Sequence, residues 1–346
     1  MKVDFATDEG TVHAVGGVSF SLEAGEVLSI VGESGCGKSV TAMTVVGLTR
    51  GKNARISGSV RYQGKELTTA SDEELQTIRG DRIAMVFQDP MSSFNPVQKI
   101  GDQIVEAIVA HRDMNKAAAQ RKAVEALGSV GIPDPETRAQ HYPFEYSGGM
   151  RQRAMIAMAL ALEPAILIAD EPSTALDVTI QAQILELLQD LNQEHGLSVI
   201  LITHDLGVVA EVADRVMVMY AGQIVEQGTL DEIFYDPQHP YTWGLLGSIA
   251  RLDQERPERL SQVGGQPPSL LALPPGCRFR PRCPHAFEKC TELPDLVERL
   301  PRAKGHPDRC WLDPKEKQDL REVEGRIALE VVMRGSPAGA AKREPV

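Results

Sequence analysis

The sequence predicts an α/β fold, a largely parallel sheet covered by helices on both faces. Three observations carry it: short apolar runs at intervals, helical segments between them, and a glycine-rich loop joining an early strand to an early helix. In order, residues 24–31 (Ala-Gly-Glu-Val-Leu-Ser-Ile-Val) read as a buried strand. The loop follows, then a helix over about 39–47. Residues 83–87 make another strand, ending in Gln88-Asp89-Pro90. From 100 to about 162 the pattern is helical, with alanine-rich stretches, and a helical subdomain is placed at about 89–162. Strand-like runs return at 166–169, 199–203 and 216–220, with a helix at 180–194 among them. After Asp236 proline becomes frequent (Pro237, Pro240, Pro257, Pro267, Pro268) and the alternation ends. A boundary near 240 therefore divides a main domain, 1–240, from a small cysteine-containing one, 241–312. The charged remainder, 313–346, reads as a disordered tail.

The chain has 346 residues, 42% of them hydrophobic, enough for one large α/β domain and an appendage. Lys and Arg number 36 against 48 Asp and Glu, a net charge of −12. That balance argues against broad nucleic-acid binding, which uses a basic face, but not against phosphate capture by local backbone N–H groups. No apolar run approaches the roughly 20 residues that span a bilayer, and the N-terminus lacks the apolar core of a signal peptide. A cytosolic chain is expected, touching a membrane only through a partner.

Gly32-Glu33-Ser34-Gly35-Cys36-Gly37-Lys38-Ser39 matches G-x-x-x-x-G-K-[ST] completely. Its glycines let the backbone curl so that N–H groups line a phosphate. Lys38 can reach the β- and γ-phosphates of a nucleotide, and the Ser39 hydroxyl can ligate Mg²⁺. Cys36 reads as a small filler, since no base partner is identifiable. The strand at 166–169 delivers Asp170 and Glu171 to its C-terminal end, where α/β sheets place their ligands. Alone, such an acidic pair is more often a turn or a helix cap. Beside the phosphate loop it reads as one carboxylate for Mg²⁺ and one that polarises an attacking water.

Ser147-Gly148-Gly149-Met150-Arg151-Gln152-Arg153 resembles the signature of the ATP-binding cassette (ABC) ATPases. With Gln88, the loop Ser173-Thr174-Ala175-Leu176-Asp177, and His204, it completes that family's set in the family's order. The resemblance implies an ABC-type P-loop NTPase fold hydrolysing ATP with Mg²⁺ as cofactor. It makes Glu171, His204 and Gln88 catalytic, with Ser39, Gln88 and Asp170 around the metal. ATP would be held by residues 32–39 and the Val40 backbone, Val40 standing where a threonine is common. Adenine would stack on Phe5, or on His13 as the alternative. Ser147, Gly148, Gly149, Met150 and Asp177 would act in trans on a nucleotide held by the opposite subunit of a sandwich dimer. Tyr146 and Met150 depart from the family's usual Leu and Gln, yet leave the Ser147 hydroxyl and the glycines in place.

Residues 142–153, His239-Pro240-Tyr241-Thr242 and Pro275-Gly276-Cys277-x-Phe279-x-Pro281-Arg282-Cys283-Pro284 are similar to the ATPases of dipeptide/oligopeptide importers. That implies a paralogous ATPase as heterodimer partner, two transmembrane permease subunits, and an extracytoplasmic substrate-binding protein reached indirectly. The location implied is peripheral, on the cytoplasmic face of the membrane. The competing class is a soluble ABC ATPase acting on nucleic acid or ribosomes. Cys277, Cys283, Cys290 and Cys310 follow C-x₅-C-x₆-C-x₁₉-C in a proline-rich segment poor in apolar residues. They are expected to hold a [4Fe–4S] cluster, which some of these importer relatives carry. Cys₄ zinc is one rival, though such sites favour C-x₂₋₄-C knuckles. The other is unligated thiols packed with Phe279 and Trp311.

Overall fold

The computed structural model describes residues 1–172, 177–248, 263–300 and 305–325. Two antiparallel strands, β1 (Lys2–Thr7) and β2 (Gly10–Gly16), open the chain. Strand β3 (Val27–Val31) and helix α1 (Lys38–Val45) flank the phosphate loop, and β4 (Ala54–Ser57) pairs with β1 in a small outer sheet ordered β2-β1-β4. Then come β5 (Ile83–Val86), α2 (Ile100–His111), α3 (Lys116–Ser129) and α4 (Gly148–Leu160). They are followed by β6 (Ile166–Asp170), α5 (Val178–His195), β7 (Ser198–Thr203), α6 (Leu206–Val212), β8 (Arg215–Tyr220) and β9 (Gln223–Thr229). Helix α7 (Pro240–Gly247), the two-residue strands β10 (Val297–Glu298) and β11 (Pro307–Asp308), and α8 (Pro314–Gly325) complete the described elements used below.

The main sheet runs β10-β11-β9-β8-β3-β7-β6-β5. Its five strands from β8 to β5 are mutually parallel, and β9, β11 and β10 add antiparallel partners at the far edge. Every residue of β3 and β7 is buried, which is why both read as continuous apolar runs rather than alternating ones. Alternate side chains feed opposite layers. Leu167, Val199 and Leu201 join Ile104, Leu127 and Met155 under the helical side. Ile30, Ile168 and Ile200 join Val46, Leu75 and Met217 on the other.

Several expectations are corrected. The strand begins at Val27, not residue 24, because Ala24-Gly25 turns with Gly25 at φ +73° and pairing with β7 starts only at Val27–Val199. The 100–162 stretch is broken at 112–115 and again between α3 and α4, where Gly131 and Pro133 interrupt it and only a four-residue helix at Pro135–Arg138 and a 3-10 turn at Pro143–Glu145 intervene. Strand β9 went unread, its Gln223, Glu226 and Gln227 hiding a run that is almost entirely buried. The chain after Asp313, expected to be disordered, forms α8 instead; residues 326–346 of that expected tail lie outside the described residues, as does Pro257.

The expected boundary at 240 coincides with the start of α7 but not with the end of the sheet, since Asp308 of β11 pairs with Glu226 of β9. The join is polar. Glu226, fully buried, accepts from the backbone N–H of Gln238 and His239, from the Thr242 hydroxyl at 2.6 Å, and from His306 Nε2 at 2.8 Å. Lys317 of α8, equally buried, donates to Asp308 at 2.7 Å. A buried carboxylate so supplied with donors is fixed in place, and removing one partner of such a group typically costs about 3–5 kcal/mol.

His239 caps α7, its Nδ1 accepting from the Tyr241 N–H at 3.1 Å. Burial, aided by the nearby cations of Lys317 and Arg309, pulls its pKa from 6.5 down to about 3. The folded state therefore favours the neutral ring, and the stability it contributes is present above pH 6.5 and lost as pH falls below it. At about 1.4 kcal/mol per unit, denaturant titrations at pH 6.5 and pH 5 should show roughly 2 kcal/mol more loss in the wild type than in His239→Asn, which keeps an acceptor at the cap.

Candidate active site

The phosphate loop is shaped by contacts that exclude side chains. Gly37, the N-cap of α1, has φ +102°, and a Cβ there would stand 2.4 Å from the Ala14 carbonyl oxygen. Lys38 is buried, with Nζ donating to the carbonyls of Gly32 at 2.7 Å and Glu33 at 3.1 Å. Cys36 packs beside it in the core; burial pushes its thiol pKa up, in keeping with a filler. Val40 is half-buried against the same cluster.

Ser39 Oγ donates to Asp170 Oδ1 at 3.0 Å, tying α1 to the end of β6. Burial raises the Asp170 pKa, the Ser39 bond opposes that, and Glu171 raises it again. These oxygens are the hard donors that Mg²⁺ takes. Glu171 sits at φ +48°, a left-handed conformation uncommon for residues other than glycine, with its N–H donating to the Ile202 carbonyl at 2.8 Å. Its carboxylate accepts from Gln88 Nε2 at 3.0 Å and lies 3.4 Å from His204 Nδ1. Three residues predicted from separate motifs thus meet at the adjacent ends of β5, β6 and β7, an arrangement able to hold and polarise a water. A cavity of about 670 Å³ opens over them, lined by Gly32, Glu33, Ser34, Gln88, Glu171 and His204.

The signature residues lie elsewhere. Ser147 caps α4, accepting from the Met150 N–H at 3.3 Å, and Asp177 caps α5, accepting from the Ile180 N–H at 3.0 Å. The two caps are neighbours, because a Cβ on Gly149 would meet Ile180 at 2.8 Å. Tyr146 is buried and its hydroxyl donates to the Arg138 carbonyl at 2.9 Å, so the ring anchors the approach to α4. Neither Ser147 nor Asp177 lines the cavity, and Ser173, Thr174, Ala175 and Leu176 lie outside the described residues. Phe5 is half-buried in the core cluster and does not line the cavity either; His13 bonds Asp4 at 2.7 Å.

Cys277, Cys283, Cys290 and Cys310 are unpaired and line one closed pocket of about 10 Å³ with Phe279, Phe287 and Trp311. The Cys277 N–H donates to the Cys290 carbonyl, an approach that Gly276 permits at φ +77°, where a Cβ would lie 2.4 Å from that oxygen. Burial lifts the pKa of Cys283 to about 12 and of Cys310 to about 11, and the neighbouring thiols add to both. The four cysteines share one pocket lining. Among the described residues, however, no three or more of His, Cys, Asp and Glu are placed to hold a metal ion, and neither the cluster nor zinc is matched by this arrangement.

Sequence reasoning missed the wall opposite Glu171. Leu245, Ser248, Val263, Gly265 and Arg282 close the cavity from the C-terminal segment. The one hint was Glu33 itself, an acidic side chain on a phosphate loop that calls for a counter-charge.

A P-loop strand–helix unit with Ser39 on Asp170, and Glu171 held by Gln88 beside His204, defines an ATP-hydrolysing cassette. Comparison with known proteins narrows the class. Residues 15–174 match the ABC transporter family, and 225–290 match the oligopeptide/dipeptide transporter C-terminal region. The chain is 52% identical over 319 residues to the dipeptide transport ATP-binding protein DppD of Bacillus subtilis, covering 92% of this chain and 94% of that one. It is 54% identical over 350 aligned residues to the oligopeptide transport ATP-binding protein OppD of the same organism, covering 96% of each. Among solved structures, the dimeric cassette MJ0796 bound to ADP and Pi is similar with a TM-score of 0.60 at 30% identity, over 66% of this chain and 96% of that one. This chain belongs to the ATP-binding proteins of the ABC transporters, in the oligopeptide/dipeptide group.

Replacing Glu171 by Gln keeps its size and its bond to Gln88 but removes the basic oxygen. ATP turnover in the assembled transporter should fall about 10²–10⁴-fold while nucleotide still binds; Lys38→Ala should weaken binding itself.

Proposed function

We propose that this chain energises the import of peptides or related small nutrients by hydrolysing ATP at the cytoplasmic face of the membrane. The observation that carries the reading is identity above 50% along nearly the whole length to a dipeptide and an oligopeptide transport ATP-binding protein, both domains included. Among the described residues no helix is long and apolar enough to cross a membrane, so two transmembrane permease subunits supply the path. A substrate-binding protein outside the membrane supplies the cargo. Residues 1–240 are the cassette, with its helical subdomain at about 89–162, and 241–312 form a regulatory appendage.

In this reading Glu171 orients and activates water, Gln88 reads its position, and His204 holds the γ-phosphate. Mg²⁺, held by Ser39, Asp170 and Gln88, offsets phosphate charge when bound. Adenine stacks on Phe5, or on His13 as the alternative, beyond the lining of the cavity over Glu171. Ser147, Gly148, Gly149, Met150 and Asp177 serve the nucleotide of a paralogous ATPase, which is why they stand away from the cavity of their own chain. A helix N-terminus capped by serine and opened by two glycines suits an incoming γ-phosphate. Reconstitution with permeases, paralogue and binding protein tests the whole. Peptide-loaded binding protein should stimulate hydrolysis, and nucleic acid or ribosomes should not; the reverse pattern overturns the proposal.

For the cysteine segment we retain the [4Fe–4S] cluster on Cys277, Cys283, Cys290 and Cys310. Its support is the convergence of four unpaired thiols on one pocket, where the wide spacing suits a cubane better than one ion. The segment must spread from its present packing to admit it. Anaerobically purified protein should absorb broadly near 400 nm and carry about four irons per chain. Colourless, iron-free protein from iron-replete cells refutes it.

A further inference from the structure

Arg282 belongs to the turn between Cys277 and Cys283, yet its guanidinium reaches the phosphate loop. Its Nη1 donates to Glu33 Oε2 at 2.6 Å and its Nη2 to Glu33 Oε1 at 2.8 Å, a bidentate pair. The remaining N–H groups are also used: Nε donates to the Gly264 carbonyl at 2.8 Å, Nη2 to the Val263 carbonyl at 2.9 Å, and Nη1 to the Tyr220 hydroxyl at 3.4 Å. The Arg282 side chain is 4% exposed and Glu33 26%, so the pair is shielded from salt more than a surface pair. The same glutamate is held through its backbone, whose N–H donates to the Tyr241 hydroxyl at 2.9 Å. Tyr241 is fully buried, and its ring packs on Tyr220 and on Phe279 of the cysteine segment.

This clamp has an electrostatic consequence. Glu33 is the second residue of a loop whose work is to hold a polyphosphate, and it lines the cavity together with Gly32 and Ser34. A bare carboxylate there repels the nucleotide. Lys38 cannot serve both, because its ammonium already sits on the Gly32 and Glu33 carbonyls. The counter-charge comes from Arg282, 249 positions away.

We propose that Arg282 is a positioning residue for nucleotide binding. By neutralising and orienting Glu33 it sets the shape and charge of the phosphate loop, and it makes ATP affinity answer to the conformation of the cysteine segment. The coupling runs through one turn. The Arg282 N–H donates to the Phe279 carbonyl and the Cys283 N–H to the Arg280 carbonyl, so a displacement of Cys283 displaces Arg282. This deepens the ATPase reading of the same site and rests on it.

Equilibrium binding of a fluorescent ATP analogue with Mg²⁺ to the full chain tests it, using wild type, Lys38→Ala, Glu33→Gln, Arg282→Ala and the double variant Glu33→Gln/Arg282→Ala. Arg282→Ala should weaken binding by about tenfold, within the usual range of coupling between sites. The double variant should return to within about threefold of Glu33→Gln, because no uncompensated carboxylate remains; a merely structural role leaves the double variant as weak as Arg282→Ala and overturns the proposal. Binding by Arg282→Ala equal to wild type, with Lys38→Ala impaired, also overturns it while the nucleotide site stands. If Lys38→Ala binds like wild type, the site reading itself fails. Should Arg282→Ala not fold, Arg282→Lys keeps the charge without the fork and is expected to lose less than fivefold; a loss above that refutes charge compensation.

Discussion

A phosphate loop grips its anion through several backbone N–H groups aimed at one point, and that requirement organises this molecule. The curl of residues 32–38 needs glycines where the Ala14 and Met219 carbonyls come close, and it needs a rigid frame at both ends. The frame is β3, wholly buried between β8 and β7, and α1, which begins at Lys38. Because parallel neighbours end on the same edge, the carboxylates of β6 and the residues after β5 and β7 arrive beside that loop. Ser39 on Asp170 and Gln88 on Glu171 are the bonds by which the edge is joined.

The same edge is also closed from a second direction. Strand β9 carries Glu226, whose burial without donors would cost several kcal/mol. Its donors come from the turn before α7, from Thr242 and from His306, so the C-terminal segment is drawn against the sheet by the need to satisfy one charge. With α7 placed, Tyr241 meets the backbone of Glu33, and Phe279 packs between Tyr220 and Tyr241. The cysteine loops are thereby seated next to the phosphate loop, with Arg282 as the bridge. A nucleotide pocket lined on one side by the segment of residues 263–282 is the outcome of that chain of contacts.

Ser147 and Asp177 illustrate the limit of one chain. Both are helix N-caps with their hydroxyl or carboxylate spent on the first turn, and they adjoin each other through Gly149 and Ile180. Neither helix start lines the cavity of its own chain, so the role proposed for them requires a second cassette.

Much of the fold and most of the pocket were legible because the chemistry is local in sequence. A loop that cradles phosphate needs its glycines and lysine within eight positions, and a buried strand that ends in two carboxylates writes both facts contiguously. Hence Lys38, Ser39, Asp170, Glu171, Gln88 and His204 were identified by spacing and resemblance before any contact was visible. Strand β9 was not, since polar residues satisfied by distant partners erase the apolar pattern that marks a strand. Helix α8 was missed for the same reason, its Lys317 looking solvated until Asp308 appears beside it. The pairing of Glu33 with Arg282 belonged to tertiary structure alone: an ion pair has no period and no fixed spacing, and only the folding of the C-terminal segment onto the sheet decides which arginine meets which carboxylate.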